Sequence, residues 1–421
     1  MFEEIYFETL PKTFQEAIYV TRSFGIRCLW IDSLCIIQDS SEDWQRESVT
    51  MSDVYSGSLL NIAATSAEDS KQGLFRDRVP AAVGPCKVVI HEKEFGDSIY
   101  NCIDARVWMK GVEESPVALR AWIIQEQCNK IHACEALPSG IPSFDPDTRK
   151  AGCILNDHIK GIASPMVFWK KTVEAYSRAF LTKESDKLVA ISGVGKFLLT
   201  LNKNDKYFAG LWRRDMEMQL LWRVRTRSKN QNCYRPKDYR APSWSWVSIE
   251  GSIKFMSPPS DSSTRILATV IDVTIIPSGP DDFGQVRDGT LYIQCIPLKL
   301  ASLYLVNSSW YIYYGKFGTS LNPAYFDIEL SEDIRTSVYT MSIAEDEMLK
   351  YQEGILSGLL LTPTGRAKGQ FRRLGYFLES KTSKTGCYGF SMAAPVLDRS
   401  LYYNIDSTKE GDQQRYFITI I

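Results

Sequence analysis

The chain has 421 residues, with 49 Lys plus Arg against 50 Asp plus Glu and a formal net charge of −1. That length admits two or three domains of ~150 residues each, and 44% hydrophobic with 24% charged residues exclude a mainly disordered chain. A near-neutral total gives no long-range field to draw in nucleic acid or anionic lipid, and no segment reaches the ~18 consecutive apolar residues of a membrane span.

Met1-Phe2-Glu3-Glu4 shows neither the basic leader nor the apolar run of a secretory signal. With ten scattered cysteines and no C-x-x-C pair, this predicts reduced thiols in a cytoplasmic setting. His132 and Cys134 have only Cys128 as a further nearby ligand, so packed thiols are predicted there and no metal site.

Thr13-Phe14-Gln15-Glu16 has the form of a capping box after Pro11. Phe14, Ala17, Ile18 and Thr21 continue at helical spacing, and Gly25 suits a left-handed cap. Ile26 to Ile31 is a mostly apolar run that predicts a strand buried on both faces. Ser40, Ser41 and Asp43 offer N-caps for a second helix, with Trp44, Ser48, Met51 and Tyr55 in one stripe and Gly57 at its end. Leu59 to Ala64 reads as the next strand. Helix, strand, helix and strand with short links predict a parallel, helix-covered sheet, whose ligands would sit beyond the carboxyl ends of its strands. Asp32, Ser33 and Gln38 stand at that edge.

Glu47 projects at the margin of the apolar stripe, three residues after Trp44 and four before Met51. A carboxylate half-covered by Trp and Met loses hydration, which raises its pKa and suits it to acid–base or electrostatic work. The other reading is a solvated helix-edge Glu paired with Arg46. Arg120 has two readings as well: a phosphate ligand, or a buried tie to a carboxylate such as Glu126. Asp32 and Ser33 would touch a ribose or cap the following turn. Cys35, between Leu34 and Ile36 with no His nearby in sequence, is predicted to be a packed thiol.

These stretches carry a family resemblance. Leu10 to Ile18, Leu29-Trp30-Ile31-Asp32-Ser33-Leu34-Cys35-Ile36-Ile37-Gln38-Asp39, Asp43-Trp44-Gln45-Arg46-Glu47, Asn61-Ile62-Ala63-Ala64 and Gly73-Leu74-Phe75 resemble, in order, the fungal heterokaryon incompatibility (HET) domain. Arg120-Ala121-Trp122-Ile123-Ile124-Gln125-Glu126 resembles the R-x-W-x-x-Q-E stretch of the same family. The resemblance implies a role in self/non-self recognition and the death of fused, incompatible cells. It also implies likeness to the Toll/interleukin-receptor (TIR) fold, in which a helix-borne Glu supports NAD cleavage at the nicotinamide–ribose bond. Carried over, Glu47 is then the catalytic residue of a TIR-like NAD-glycohydrolase, and Asp32, Ser33, Trp44 and Arg120 hold the nucleotide. NAD enters as substrate, and no cofactor is expected. The alternative is a non-catalytic module that self-associates or docks partners in death signalling. The family's first strand, upstream of Leu10, has no counterpart here, so an incomplete sheet is expected in an N-terminally truncated domain.

Three regions are predicted: a HET-like α/β domain over 1–135, a helical connection over 136–225 and a β-rich domain over 226–421. Pro165 suits a first helical turn, with Phe168, Val173, Tyr176 and Phe180 as its stripe, and Thr182 and Ser185 cap a second helix through Leu188 to Leu198. The basic stretch Arg223 to Arg240 has only Tyr234 and Tyr239 as aromatics, in a neutral chain, and reads as a solvated loop. Trp244-Ser245-Trp246 alternates as a half-buried strand would. Strand-like runs at 266–276, 290–298, 303–314, 337–341, 354–361, 374–378 and 415–421 predict an antiparallel sandwich or barrel.

Overall fold

The computed structural model describes residues 4–77, 86–92, 96–102, 115–117, 120–123, 164–225, 233–256, 262–314, 322–330, 337–348, 353–381, 398–406 and 414–421. The chain groups into two compact units, one of residues 1–164 with 179–182, the other of 165–178 with 183–421.

In the first unit, α1 (Lys12–Ser23) buries Ala17 and Thr21, on the predicted stripe. It ends where Gly25 takes φ +69° and its N–H donates to the Arg22 carbonyl at 2.9 Å. Its start differs from the predicted capping box, because Pro11 is the N-cap residue. The Thr13 N–H, an orphan of the first turn, donates instead to the Ser70 carbonyl at 3.0 Å. The Thr13 hydroxyl accepts from the Gly73 N–H at 3.1 Å, and the Glu16 carboxylate accepts from the N–H groups of Leu74 and Phe75. The residues that read as a local cap therefore clasp a segment some 60 positions away. Gly73 has φ +84°, and a Cβ there would strike the Glu16 carboxylate, so the clasp needs glycine.

A single turn, α2 (Asp32–Cys35), and a longer helix, α3 (Ser41–Gly57), follow. The Ser40 side chain accepts from the Asp43 N–H at 3.1 Å, the predicted cap. Ser48 and Met51 are buried beneath α3.

The parallel TIR-like sheet is not found among the described residues. Ile26 to Ile31 and Leu59 to Ala64 contain neither helix nor strand. The backbone N–H and C=O groups of Arg27 to Trp30, and of Leu59, Leu60 and Ile62, meet no hydrogen-bond partner among the described residues. Their side chains are half-buried or exposed, with Leu59 at 84%. An apolar run becomes a central strand only when neighbours pair with both its edges, and the described residues supply no such neighbours. The described strands of this unit are β1 (Cys86–Glu92) and β2 (Gly96–Cys102), an antiparallel hairpin in which Cys86 faces Cys102.

The second unit holds α4 (Pro165–Tyr176) and α5 (Val189–Leu201), both in the predicted helical stretch. Its strands are β3 (Ser262–Ile266), β4 (Thr269–Pro277), β5 (Val286–Cys295), β6 (Lys299–Val306), β7 (Ser309–Tyr313), β8 (Asn322–Phe326), β9 (Ser337–Met348), β10 (Glu353–Pro363), β11 (Gln370–Lys381), β12 (Asn404–Asp406) and β13 (Arg415–Ile420). Six of them close into a barrel in the order β8-β7-β6-β9-β10-β11, with β11 pairing back onto β8. Closure removes the sheet edges, and Leu303, Ile312, Phe326, Leu356, Leu360 and Phe377 fill the inside. Outside the ring, β13, β5 and β4 extend the sheet from β11, β12 pairs with β13, and β3 pairs with β9. The β11–β13 pairing is parallel, Gln370 opposite Thr419, and the other described pairings of this sheet are antiparallel.

Two expectations for this unit are corrected. Trp244-Ser245-Trp246 is not a strand: Trp246–Ser248 form a 3-10 turn and both indoles are fully buried. The Trp246 and Trp169 indole N–H groups donate to the Gly210 carbonyl at 2.8 and 3.2 Å, and the Trp222 indole donates to the Trp244 carbonyl at 2.9 Å. The alternation came from two side chains entering one core from a turn. Nor is the described part of the basic stretch a solvated loop. Arg240 is buried, pairs with Glu250 and donates to the carbonyls of Val247 and Ile249. Residues 226–232 lie outside the described set.

Candidate functional site

A groove of about 870 Å³ lies in the first unit. One wall is Ile26 and Cys28 to Asp32, the opposite wall is Gly57 to Ala64, and Phe14 and Ala17 of α1 with Val54 of α3 line the rest. These are the two segments read as strands, and the backbone of Arg27 to Trp30, Leu59, Leu60 and Ile62 in them meets no partner among the described residues. A buried peptide group without a partner costs roughly 1–3 kcal/mol, so such backbone is kept open to water or to a partner that pairs with it.

Ordered side chains fix the walls. Trp30 packs edge-on against Tyr55 of α3, ring centroids 5.5 Å apart. The Asp32 carboxylate accepts from the Ser33 N–H at 2.7 Å, and the Gln38 amide donates to the carbonyls of Asp32 and Ile36 at 3.3 and 2.9 Å. Buried Asp43 accepts from the Ile37 N–H at 2.8 Å and so ties the start of α3 to the same loop. Much of the W-I-D-S-L-C-I-I-Q-D string thus serves to hold one wall in place.

The charge in the groove has one sign. Asp32 and Asp53 are among its lining residues, and no Lys, Arg or His lines it among the described residues. Two carboxylates without a cation repel phosphate and favour an apolar or cationic occupant.

The predicted site residues do not all gather here. Asp32 lines the groove; Ser33, Trp44, Glu47 and Arg120 are not among its lining residues. Glu47 is 29% exposed and its Oε1 accepts from Arg46 Nε at 3.2 Å, while Arg46 also pairs with Asp43. Arg120 is exposed, and its backbone bridges to Phe180. Its exposure corrects the burial in the reading of it as a tie, and Glu126, the carboxylate named for that tie, lies outside the described residues. Cys35 is exposed rather than packed, because it sits on the short outer turn α2. Gln125, Glu126, Cys128, His132 and Cys134 lie outside the described residues.

The clasp at Glu16 closes the groove at Leu74. Burial alone would push the Glu16 carboxyl up, but the N–H groups of Phe75 and Leu74, with Lys12 beside it, outweigh that and hold it below its ordinary value. Sequence reasoning missed Leu59, Leu60 and Asp53 as site residues. The available signal was an apolar run with no second run to pair with.

Residues 3–126 match the model of the family described as Heterokaryon incompatibility protein (HET). This segment is a HET domain. The match takes in both walls of the groove, α1, α3 and the Glu16 clasp. The HET domain supports a role in heterokaryon incompatibility, and with it a fungal context. No curated protein and no solved structure matches the chain. Among the described residues no helix is long and apolar enough to cross a membrane.

Proposed function

We propose that the chain acts in fungal self/non-self recognition as a docking module, and that its HET domain captures an extended segment of a partner protein in the groove between Cys28–Asp32 and Gly57–Ala64. Death of incompatible fused cells in the cytoplasm follows from that capture. The observation that carries this reading is the backbone of Arg27 to Trp30, Leu59, Leu60 and Ile62, without a partner among the described residues, beside a mostly apolar lining that holds Asp32 and Asp53. A strand entering the groove gains main-chain hydrogen bonds from either wall, and pockets for alternate side chains give it specificity. An apolar segment carrying a Lys or Arg suits Asp32 and Asp53.

NAD cleavage with Glu47 as catalytic group is the competing reading. It is less well supported, because a dinucleotide brings a pyrophosphate to a groove without a cation, and Glu47 is engaged by Arg46 away from the lining. The test is a death assay in fungal cells expressing the full chain, its Leu59→Asp and Leu60→Asp variants, and Glu47→Gln. Docking predicts that both Leu variants lose killing while Glu47→Gln retains it. Loss of killing and of nicotinamide release in Glu47→Gln alone would overturn docking in favour of catalysis.

A further inference from the structure

A second concavity, of about 350 Å³, lies wholly in the second unit. Arg235, Arg366, Arg372 and Arg373 all reach it, with Glu329 as the acidic side chain of its lining. Their charges are unevenly met. The Arg373 guanidinium is fully buried, stacks 3.4 Å from the Trp222 ring centroid and binds Asp327 through Nε at 2.9 Å and Nη2 at 3.1 Å. Arg235 shares that one carboxylate at 3.7 Å and spends its other donors on the Ser248 hydroxyl and the Arg373 carbonyl. One carboxylate serving two guanidiniums leaves net positive charge. Burial, together with Arg372 and Arg373 and against the pull of Asp327, brings Arg235 down to about 10. Arg366 and Arg372 are exposed at the mouth, and neither side chain meets a carboxylate among the described residues.

The backbone explains the convergence. The register of β10 on β11 slips between Leu360 and Leu361, so Leu374 is an extra residue between Arg373 and Gly375. Such a bulge re-aims neighbouring side chains, here Arg373 into the core and Arg372 to the rim. Leu330, Pro363 and Leu374 supply apolar lining beside the cations.

We propose that this pocket binds a small organic anion, its phosphate or carboxylate head held by Arg366 and Arg372 and its apolar body set against Leu330, Pro363 and Leu374. Guanidinium pairs are the side-chain groups best matched to such planar or tetrahedral oxyanions. The size suits one small ligand and not a polymer. The test is isothermal titration of the full chain with inorganic phosphate, phenyl phosphate and benzoate. The expected result is saturable binding of an organic anion at one site per chain, tighter than inorganic phosphate. Arg366→Gln and Arg372→Gln should each weaken it about tenfold or more, with unchanged melting temperatures and with Arg287→Gln, outside the pocket, without effect. Whichever of phenyl phosphate and benzoate binds tighter identifies the head group. No saturable binding of either, or binding that both Gln variants leave within about twofold, overturns the proposal.

Discussion

The two units solve the same problem, how to bury an apolar run, in opposite ways. The second unit closes six of its strands into a barrel, fully buries Trp169, Trp222, Trp244 and Trp246, and satisfies the fully buried Arg373 guanidinium with Asp327 and two carbonyls. The HET domain holds two strand-like segments that pair with no strand among the described residues, and leaves Tyr19, Phe24, Leu59 and Phe75 more than half exposed. The closed ring of the barrel, unlike the outer edge of β4, has nothing left to offer a strand. An open groove with free backbone does, and segments that bind are drawn from the less protected part of a structure.

The largest expected effect breaks the closed unit. Arg373→Met leaves Asp327 buried with only the longer Arg235 pair at 3.7 Å, and should cost about 3–5 kcal/mol in denaturant unfolding followed by tryptophan fluorescence. A loss below about 1 kcal/mol would mean the pair is not buried as described.

A pH series sharpens the contrast further. Lys187 in the second unit is pulled down to about 8, chiefly by burial, against the attraction of Glu250. Between that value and its ordinary 10.5 the unfolded chain holds a proton that the fold has lost, so this unit should gain stability as pH rises from about 8. The buried Tyr176, Tyr207 and Tyr376 hydroxyls, all pushed up by burial, reverse the trend above about pH 10, where unfolded tyrosines ionise first. Lys187→Met should flatten the rise.

In the HET domain the sign is opposite and the effect smaller. Glu16 is held below its ordinary 4.5, so its contribution is complete above that pH and fades as acid is added below it. Amide exchange at Leu74 and Phe75 should accelerate through that acid range, and Glu16→Gln should remove the dependence. The smallest effect belongs to Leu59→Asp: at 84% exposure it should change stability by no more than about 0.5 kcal/mol, even though it is expected to abolish killing. A larger loss would show Leu59 to be core rather than docking surface.

Local signals in the sequence were readable wherever local physics decides. Gly25 and Gly57 ended their helices, Ser40 capped α3, and the period-two runs after residue 260 became the barrel and its extension. What failed required knowledge of the partner of each segment. Thr13 and Glu16 have the spacing of a reciprocal cap, but a better set of donors arrives from Gly73 to Phe75. Ile26 to Ile31 has the composition of a central strand, but composition does not provide neighbours. Trp244 and Trp246 alternate like a strand because a turn can also send two side chains into one core. Of the candidate site, Asp32 was legible, since it ends an apolar run. The groove itself was not, because it is made by an absence of pairing.

The most direct test of the open groove is amide hydrogen exchange on the full chain, read residue by residue. The account predicts near-unprotected exchange at Arg27 to Trp30 and at Leu59, Leu60 and Ile62, alongside protection close to global unfolding at Ile293 and Leu359 in the second unit. Slow exchange at Arg27 to Trp30, comparable with that of the barrel strands, would mean these segments are already paired, and the docking groove would not exist.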